Sequence, residues 1–248
     1  MDLYGLIGHP LGHSFSKDFF NQKFQTENID AQYLNFDIPT IELLNEVLTR
    51  QQIKGLNVTI PYKEKVIPFL DELSEEAKSI GAVNVIKVYQ QENKIRLKGF
   101  NTDVIGFTES LQPLLNPTHK KALILGTGGA SKAVQFGLQQ LNIEPLFVSR
   151  RSSDNTLTYS QLTFKVMKEH TVVINCTPVG MHPHTDECPE IPYEFIGEGH
   201  ILYDLVYNPE ETLFLKKGKA VGATTKNGLE MLLLQAKAAW NIWTNKDE

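Results

Sequence analysis

The stretch that most constrains this chain is KKALILGTGGASKA, residues 120–133. A continuous apolar strand stops at a glycine cluster, and a helix follows with Ala130, Ala133, Val134, Leu138 and Leu141 along one side. Strands without polar alternation belong to parallel sheets covered on both faces. A strand, a glycine turn and a helix in that order aim backbone amides and a helix dipole at a phosphate. Gly126 allows the tight turn and Gly128 lets the backbone approach a pyrophosphate. Gly129 and the small Ala130 and Ala133 allow close packing where the helix begins. Ser131 stands where the common pattern has Gly or Ala, so the argument rests on context as much as on the glycines. Further apolar strands are expected at 144–149, 172–175 and 201–206.

The residues before this stretch alternate between helix and strand periods. Leu3–Ile7 reads as a strand, followed by a loop with Gly8, Pro10 and Gly12. A helix capped by Ser16 then carries Phe15, Phe19, Phe20 and Phe24. A strand at Ala31–Phe36, a helix opened by Pro39, and a strand at 55–60 come next. Val83–Val88 and Ile95–Phe100 flank a polar turn and read as a hairpin. A helix over 104–115 leads into the glycine stretch, and a last helix from Gly228 to about Trp243 carries Leu229, Leu232, Leu233, Ala236, Trp240 and Trp243. At 248 residues a chain forms one large domain or two modest ones. The expectation is an α/β chain of two domains: an N-terminal α/β substrate domain from 1–103 plus 228–248, and a Rossmann-type doubly wound domain from 104–227.

Composition narrows the function classes. A net charge of −5 argues against nucleic acid as the main partner, since phosphate binding needs a basic face. No segment reaches the roughly 20 apolar residues of a membrane span. Two cysteines, Cys176 and Cys188, make no disulfide framework, and MDLYGLIG has no cationic start, so the expectation is a reduced, cytoplasmic protein. His182 and His184 are too isolated for a zinc site, and no metal is expected. His9 and His13 flank the loop that leads to the first helix and read as structural rather than catalytic.

An NAD site expects an acidic residue at the end of the second strand. Here that strand ends Ser149-Arg150-Arg151, followed by Ser152 and Ser153. Two guanidiniums with hydroxyl neighbours suit a 2′-phosphate, which points to NADP. In the first domain, polar side chains gather at strand ends, where open α/β sheets bind ligands. Ser14 and Ser16 lie two apart at a helix start and can hold a carboxylate. Asn57 and Thr59 alternate along GLNVTIPYK, which ends in Lys63; Asn84 follows a Gly-Ala turn; Asn101-Thr102-Asp103 ends the hairpin.

Taken together, the chain resembles the shikimate/quinate dehydrogenase family. The resemblance rests on GHPLGHSFS, GLNVTIPYK, GAVN, GFNTDVIG, GTGGASKA, NCTPVGM, DLVYNP and NGLEMLLLQ, in the family's order over almost the whole chain. It implies NADPH-linked reduction of 3-dehydroshikimate to shikimate, a step of aromatic amino-acid synthesis, in a monomer or homodimer with a small-molecule substrate. By that analogy Ser14 and Ser16 hold the substrate carboxylate, and Thr59, Asn84, Asp103 and Gln235 its hydroxyls. Lys63 meets the reacting oxygen, Tyr207 reaches the substrate from the second domain, Gly228 lies near the nicotinamide, and Thr177, in NCTPVGM, belongs to the cofactor set. Four positions depart from the family's usual pattern: Lys17 for Pro, Val85 for Thr, Ser149-Arg150-Arg151 for Asn-Arg-Thr, and Glu230 within GLGML.

Reduction of a ketone needs a hydride donor on one face and a proton at the oxygen. Lys63 and Asp103 are the pair expected to handle that proton. Two alternatives stand beside this: a dehydrogenase of relaxed choice, accepting quinate or NAD, and a non-catalytic binder of NADPH or a cyclohexene acid. The resemblance associates quinate use with Thr at the second serine position, and here that residue is Ser16. Loss of the Lys/Asp pair would mark the binder, and both residues are present.

Overall fold

The computed structural model describes residues 1–12, 14–49, 52–92, 94–151, 153 and 155–245. His13 and Ser152, both named above, lie outside the described residues. Contacts divide the chain into two compact units, Met1–Thr102 with Ala236–Glu248, and Asp103–Gln235. The sequence predicts these divisions after 103 and 227.

The first unit holds β1 (Asp2–Gly8), α1 (Phe15–Thr26), β2 (Ala31–Asp37), α2 (Leu44–Thr49), β3 (Ile53–Val58), β4 (Glu72–Leu73), α3 (Glu75–Ile80), β5 (Val85–Gln91) and β6 (Lys94–Phe100). Its sheet runs β2-β1-β3-β5-β6-β4. The β2-β1-β3 half is parallel, and β5 enters antiparallel to β3 and pairs antiparallel with β6 as the expected hairpin. One face packs on a cluster that includes Ile7, Leu44, Leu56, Val66 and Ile86, all fully buried. The other packs on an aromatic cluster of Tyr4, Phe20, Phe24, Tyr33, Phe100 and Trp243. Trp243 lies 5.0 Å from Tyr4 and 5.2 Å from Phe20 between ring centroids, and its Nε1–H donates to the Ile86 carbonyl at 3.1 Å. Gly55 makes room for that ring, since an added β-carbon would fall 2.2 Å from Trp243 Nε1.

The second unit holds α4 (Asp103–Leu111), β7 (Lys121–Leu125), α5 (Gly129–Gln140), β8 (Glu144–Ser149), β9 (Thr156–Thr158), α6 (Phe164–Glu169), β10 (Val172–Asn175), β11 (Ile201–Asp204), α7 (Leu213–Ala220) and β12 (Thr224–Lys226). α8 (Leu229–Thr244) begins in this unit and ends in the first. The sheet is wholly parallel, in the order β12-β11-β10-β7-β8-β9. Its central strands β7, β10 and β11 are buried on both sides, by one cluster around Phe107, Leu138 and Tyr203 and another around Leu123, Met167 and Phe214. This is the doubly wound sheet that the unbroken apolar strands predict.

Some expected bounds move. The helix expected over 104–115 is α4 to Leu111, then a 3-10 turn at Gln112–Leu114, where Pro113 removes a helical donor. The helix expected after Pro39 is a 3-10 turn at Ile41–Leu43 and then the short α2. Strand 201–206 ends at Asp204, because the Asp204 side chain takes the Val206 N–H. The N-cap of α1 is Ser14, not Ser16: the Ser14 hydroxyl oxygen accepts the Lys17 N–H at 3.4 Å.

Candidate active site

Within the first unit, the polar residues at the strand ends form one hydrogen-bonded chain. Ser16 is hydrogen-bonded through its side chain to the phenol of Tyr33. That phenol donates to Asn57 Oδ1 at 2.7 Å, and Asn57 Nδ2 donates to the Asn84 carbonyl at 3.4 Å. Asn84 Nδ2 donates to Thr102 Oγ1 at 3.0 Å, and Asn84 Oδ1 accepts the Thr102 N–H at 2.7 Å. Tyr33, Asn57, Asn84 and Thr102 are all buried, so each bond replaces water that the site has lost. Burial of Tyr33 holds its phenol neutral, far above its ordinary pKa. The loop before Ser14 is anchored by His9, whose Nδ1 lies 2.6 Å from Asp37 Oδ1, while Asp37 Oδ2 accepts the Leu11 N–H. These bonds, the histidine's first, hold the Asp37 carboxyl below its usual range. His9 is thus structural, as its sequence context predicts.

Thr59 follows β3, its N–H given to the Ile7 carbonyl and its carbonyl closing a turn to Tyr62. The Tyr62 hydroxyl donates to the Ile38 carbonyl at 2.5 Å, and the Lys63 carbonyl accepts the Val83 N–H at 2.7 Å. Backbone and core contacts therefore set where Lys63, itself half-buried, leaves the chain. Asp103, 8% exposed, opens α4 in the second unit. Gln235 is equally buried and donates from Nε2 to the Leu232 carbonyl at 2.9 Å. Tyr207 is exposed, in the loop after β11.

The glycine turn of the second unit opens a cavity of about 760 Å³ lined by Gly126, Thr127, Gly128, Ser149, Arg150, Tyr159, Cys176–Val179 and Glu187–Glu190. Gly126 has φ +99°, which a side chain disfavours, and gives its N–H to the Val148 carbonyl. Gly128 is the N-cap of α5 and carries no capping side chain. A β-carbon on Gly128 or Gly129 would meet no atom within 4 Å, so bare backbone at the helix start faces open space. That is the arrangement a pyrophosphate requires. Ala130 is half-buried in the first turn, and Ser131 is buried with its hydroxyl given to the Gly128 carbonyl at 2.6 Å. The serine at the imperfect position is thus accommodated by a local bond.

The Ser149-Arg150-Arg151 run divides at its last residue. Ser149 and Arg150 line the cavity. Arg151 does not; it is exposed, and the Ser149 hydroxyl bridges its N–H and its carbonyl. Thr177 lines the cavity with its N–H and hydroxyl both given to Asn175 Oδ1, at 3.0 and 2.6 Å. Gly228 donates to the Val206 carbonyl, and its missing side chain lets the Leu205 carbonyl oxygen lie 2.1 Å from where a β-carbon would be. Glu230 forms an ion pair with Lys226, which gives that departure a partner. Lys17 supplies the N–H that caps onto Ser14, a donor that proline lacks.

The sequence reading noted Asn57, Asn101 and Thr102 without assigning them a role, and it passed over Tyr33 and Asp204. Asn57 carried a signal in its alternation with Thr59, and Thr102 in its place in the polar run that ends the hairpin. Tyr33 carried none, since a tyrosine in a strand reads as core.

A parallel sheet whose first turn opens a cavity at an uncapped helix start, beside an arginine, defines a dinucleotide-binding α/β protein. Comparison with known proteins narrows the class. The family description "Shikimate dehydrogenase substrate binding domain" matches residues 6–86. Shikimate dehydrogenase (NADP(+)) of Caldanaerobacter subterraneus subsp. tengcongensis is 40% identical over 98% of this chain and 92% of its own. The chain belongs to the shikimate dehydrogenase family. Among solved structures, shikimate 5-dehydrogenase from Thermus thermophilus in complex with NADP(H) and shikimate matches with a TM-score of 0.84 and 33% identity, over 98% of this chain and 94% of that one. Quinate dehydrogenase from Corynebacterium glutamicum in complex with NAD matches with 0.86 and 26% identity, over 98% and 94%.

Proposed function

We propose that this chain catalyses the NADPH-linked, reversible reduction of 3-dehydroshikimate to shikimate. The observation that carries the reading is the cavity at the glycine turn, lined by both the uncapped start of α5 and Arg150. Gly126, Gly128, Gly129 and Ala130 would hold the pyrophosphate, Ser149, Arg150 and Arg151 the 2′-phosphate, and Thr177 and Gly228 the nicotinamide half. The cofactor, when bound, supplies the hydride. The unit formed by residues 1–102 with 236 onward would serve the substrate, and Asp103–Gln235 the cofactor.

Ser14 and Ser16 bind the substrate carboxylate. Ser14 has its oxygen committed to the Lys17 N–H, which leaves its proton to donate. Thr59, Asn84 and Gln235 orient the ring hydroxyls, and Tyr207 is a further substrate contact. The Lys63 ammonium donates to the carbonyl oxygen as it gains charge and gives up the proton that completes the alcohol. Asp103 holds a substrate hydroxyl and is the second member of the pair that handles the proton. No helix among the described residues is long and apolar enough to cross a membrane. A cytoplasmic location and a monomeric or homodimeric state complete the reading.

Quinate with NAD is the second reading, favoured by the equal fold match to a quinate dehydrogenase and opposed by Ser16 and Arg150. A spectrophotometric assay of shikimate and quinate, each with NADP and NAD, separates the two. Highest kcat/KM for shikimate with NADP is expected; highest for quinate with NAD refutes the proposal.

A further inference from the structure

Asp204 ends β11 fully buried, and among the described residues no cation pairs with it. Its partners are neutral donors: Asn175 Nδ2 and the Val206 N–H at 3.0 Å each on Oδ1, and the Thr212 hydroxyl at 2.6 Å on Oδ2. Burial, only partly offset by these bonds, pushes its pKa up to about 6. A carboxylate so placed is a costly way to close a core, and a neutral side chain would close it at less cost. What the carboxylate supplies is two oxygens that only accept.

That property is transmitted through Asn175. The Asn175 amide nitrogen faces the Asp204 carboxylate and, at 3.3 Å, the Val179 carbonyl, both of which only accept. The amide can therefore stand one way round, and its oxygen must face the opposite side. There it receives the N–H and the hydroxyl of Thr177, and the Thr177 oxygen in turn accepts the Val179 N–H at 3.3 Å. Residues 176–179 form one wall of the cofactor cavity. Asp204 also fixes the backbone turn whose Leu205 and Val206 carbonyls abut Gly228. The motifs NCTPVGM and DLVYNP thus meet at one side chain, and NGLEM abuts the turn it fixes.

We propose that Asp204 is the positioning residue of the cofactor cavity, acting through Asn175 to fix Thr177 and the 176–179 wall. The proposal rests on the reading of this cavity as the NADP site.

The test is calorimetric titration of NADP+ into the full chain and four variants, with thermal unfolding of each. Asn175→Asp sets two carboxylates face to face and should weaken NADP+ binding about 10-fold or more. Thr212→Val removes the other oxygen's partner and the α7 cap; it should lower the unfolding temperature yet leave NADP+ affinity within about 2-fold. A merely structural role would move affinity and stability together in all of these. Should Asn175→Asp not fold, Asp204→Asn alone carries the test: weakening the charge-assisted bond to Asn175 should cost roughly 3- to 10-fold in NADP+ affinity. Wild-type affinity in the variant used, or a loss in Thr212→Val equal to that in Asn175→Asp, would overturn the role of Asp204. An Arg150→Ala protein that binds NADP+ as tightly as wild type would overturn the cavity reading beneath it.

Discussion

Replacing Trp243 by Ala should expose how the first unit is closed. The indole is 7% exposed and packs on Tyr4, Phe20 and Tyr33. Large-to-small changes at such sites cost about 3–5 kcal/mol. Loss of the bond to the Ile86 carbonyl adds about 1 kcal/mol. The sharper expectation concerns Gly55. With Trp243 present, Gly55→Ala drives a methyl into the indole and should cost about 3 kcal/mol, the upper end for overpacking. With Trp243→Ala the slot is empty, and the same change should be neutral or stabilise by about 0.5–1 kcal/mol, because a strand interior favours Ala over Gly. The coupling between the two positions is thus about 3–4 kcal/mol, far beyond the scatter of independent sites. Both tryptophans, Trp240 and Trp243, lie in the α8 residues of this unit, so Trp fluorescence during urea unfolding reads this unit even if the other unfolds separately. An equal cost for Gly55→Ala in both backgrounds would refute the packing argument.

Four further outcomes are expected. Lys63→Ala should lower kcat by roughly 100-fold or more with a smaller change in KM, measured by steady-state reduction of 3-dehydroshikimate. Ser14→Ala should weaken shikimate binding by about 1.5–3 kcal/mol in calorimetric titration while NADP+ affinity is unchanged. Arg150→Ala should raise the KM for NADP far more than that for NAD, and Arg151→Ala should do less, because Arg150 lines the cavity and Arg151 does not. Asp204 has a folded pKa of about 6, above its unfolded value, so it contributes stability that is full below about pH 4 and lost as pH rises through 6. That contribution amounts to about 3 kcal/mol, so between pH 4 and 7 the denaturant-derived stability of Asp204→Asn should gain about that much relative to wild type.

How far the fold was legible in sequence depended on whether the signal was local. β7, β10 and β11 are apolar apart from one polar residue at an end, and the glycines after β7 say where the chain must turn. The sequence reading missed β4, β9 and β12, strands of two or three residues with no period to detect. β9 is the least expected: it pairs in parallel with β8 after only residues 150–155, where such a crossover usually takes about a dozen residues or more. Choosing Ser16 over Ser14 as the cap failed because both offer a hydroxyl at the helix start. The Lys17 N–H decides it, and only the backbone geometry reveals which oxygen that donor reaches. Asp204 and Asn175 lie 29 residues apart and look like ordinary strand ends. Their joint role appears only when adjacent parallel strands bring them side by side.

The second unit is one unbroken run of chain, whereas the first needs residues from both sides of it. During synthesis, Asp103–Gln235 has therefore left the peptidyl-transferase centre before the Trp243 codon is read. Until then the groove beside Gly55 has no ring to fill it, and the aromatic faces of Tyr4 and Phe20 lack their cover. The half that is translated first is thus the half that matures last. Its aromatic cluster cannot be completed before those last residues emerge. For anyone dissecting the protein, a gene fragment stopping at Thr102 would inherit that unfinished surface permanently, whereas splicing the codons for 236–245 onto it through a short linker would supply the missing piece.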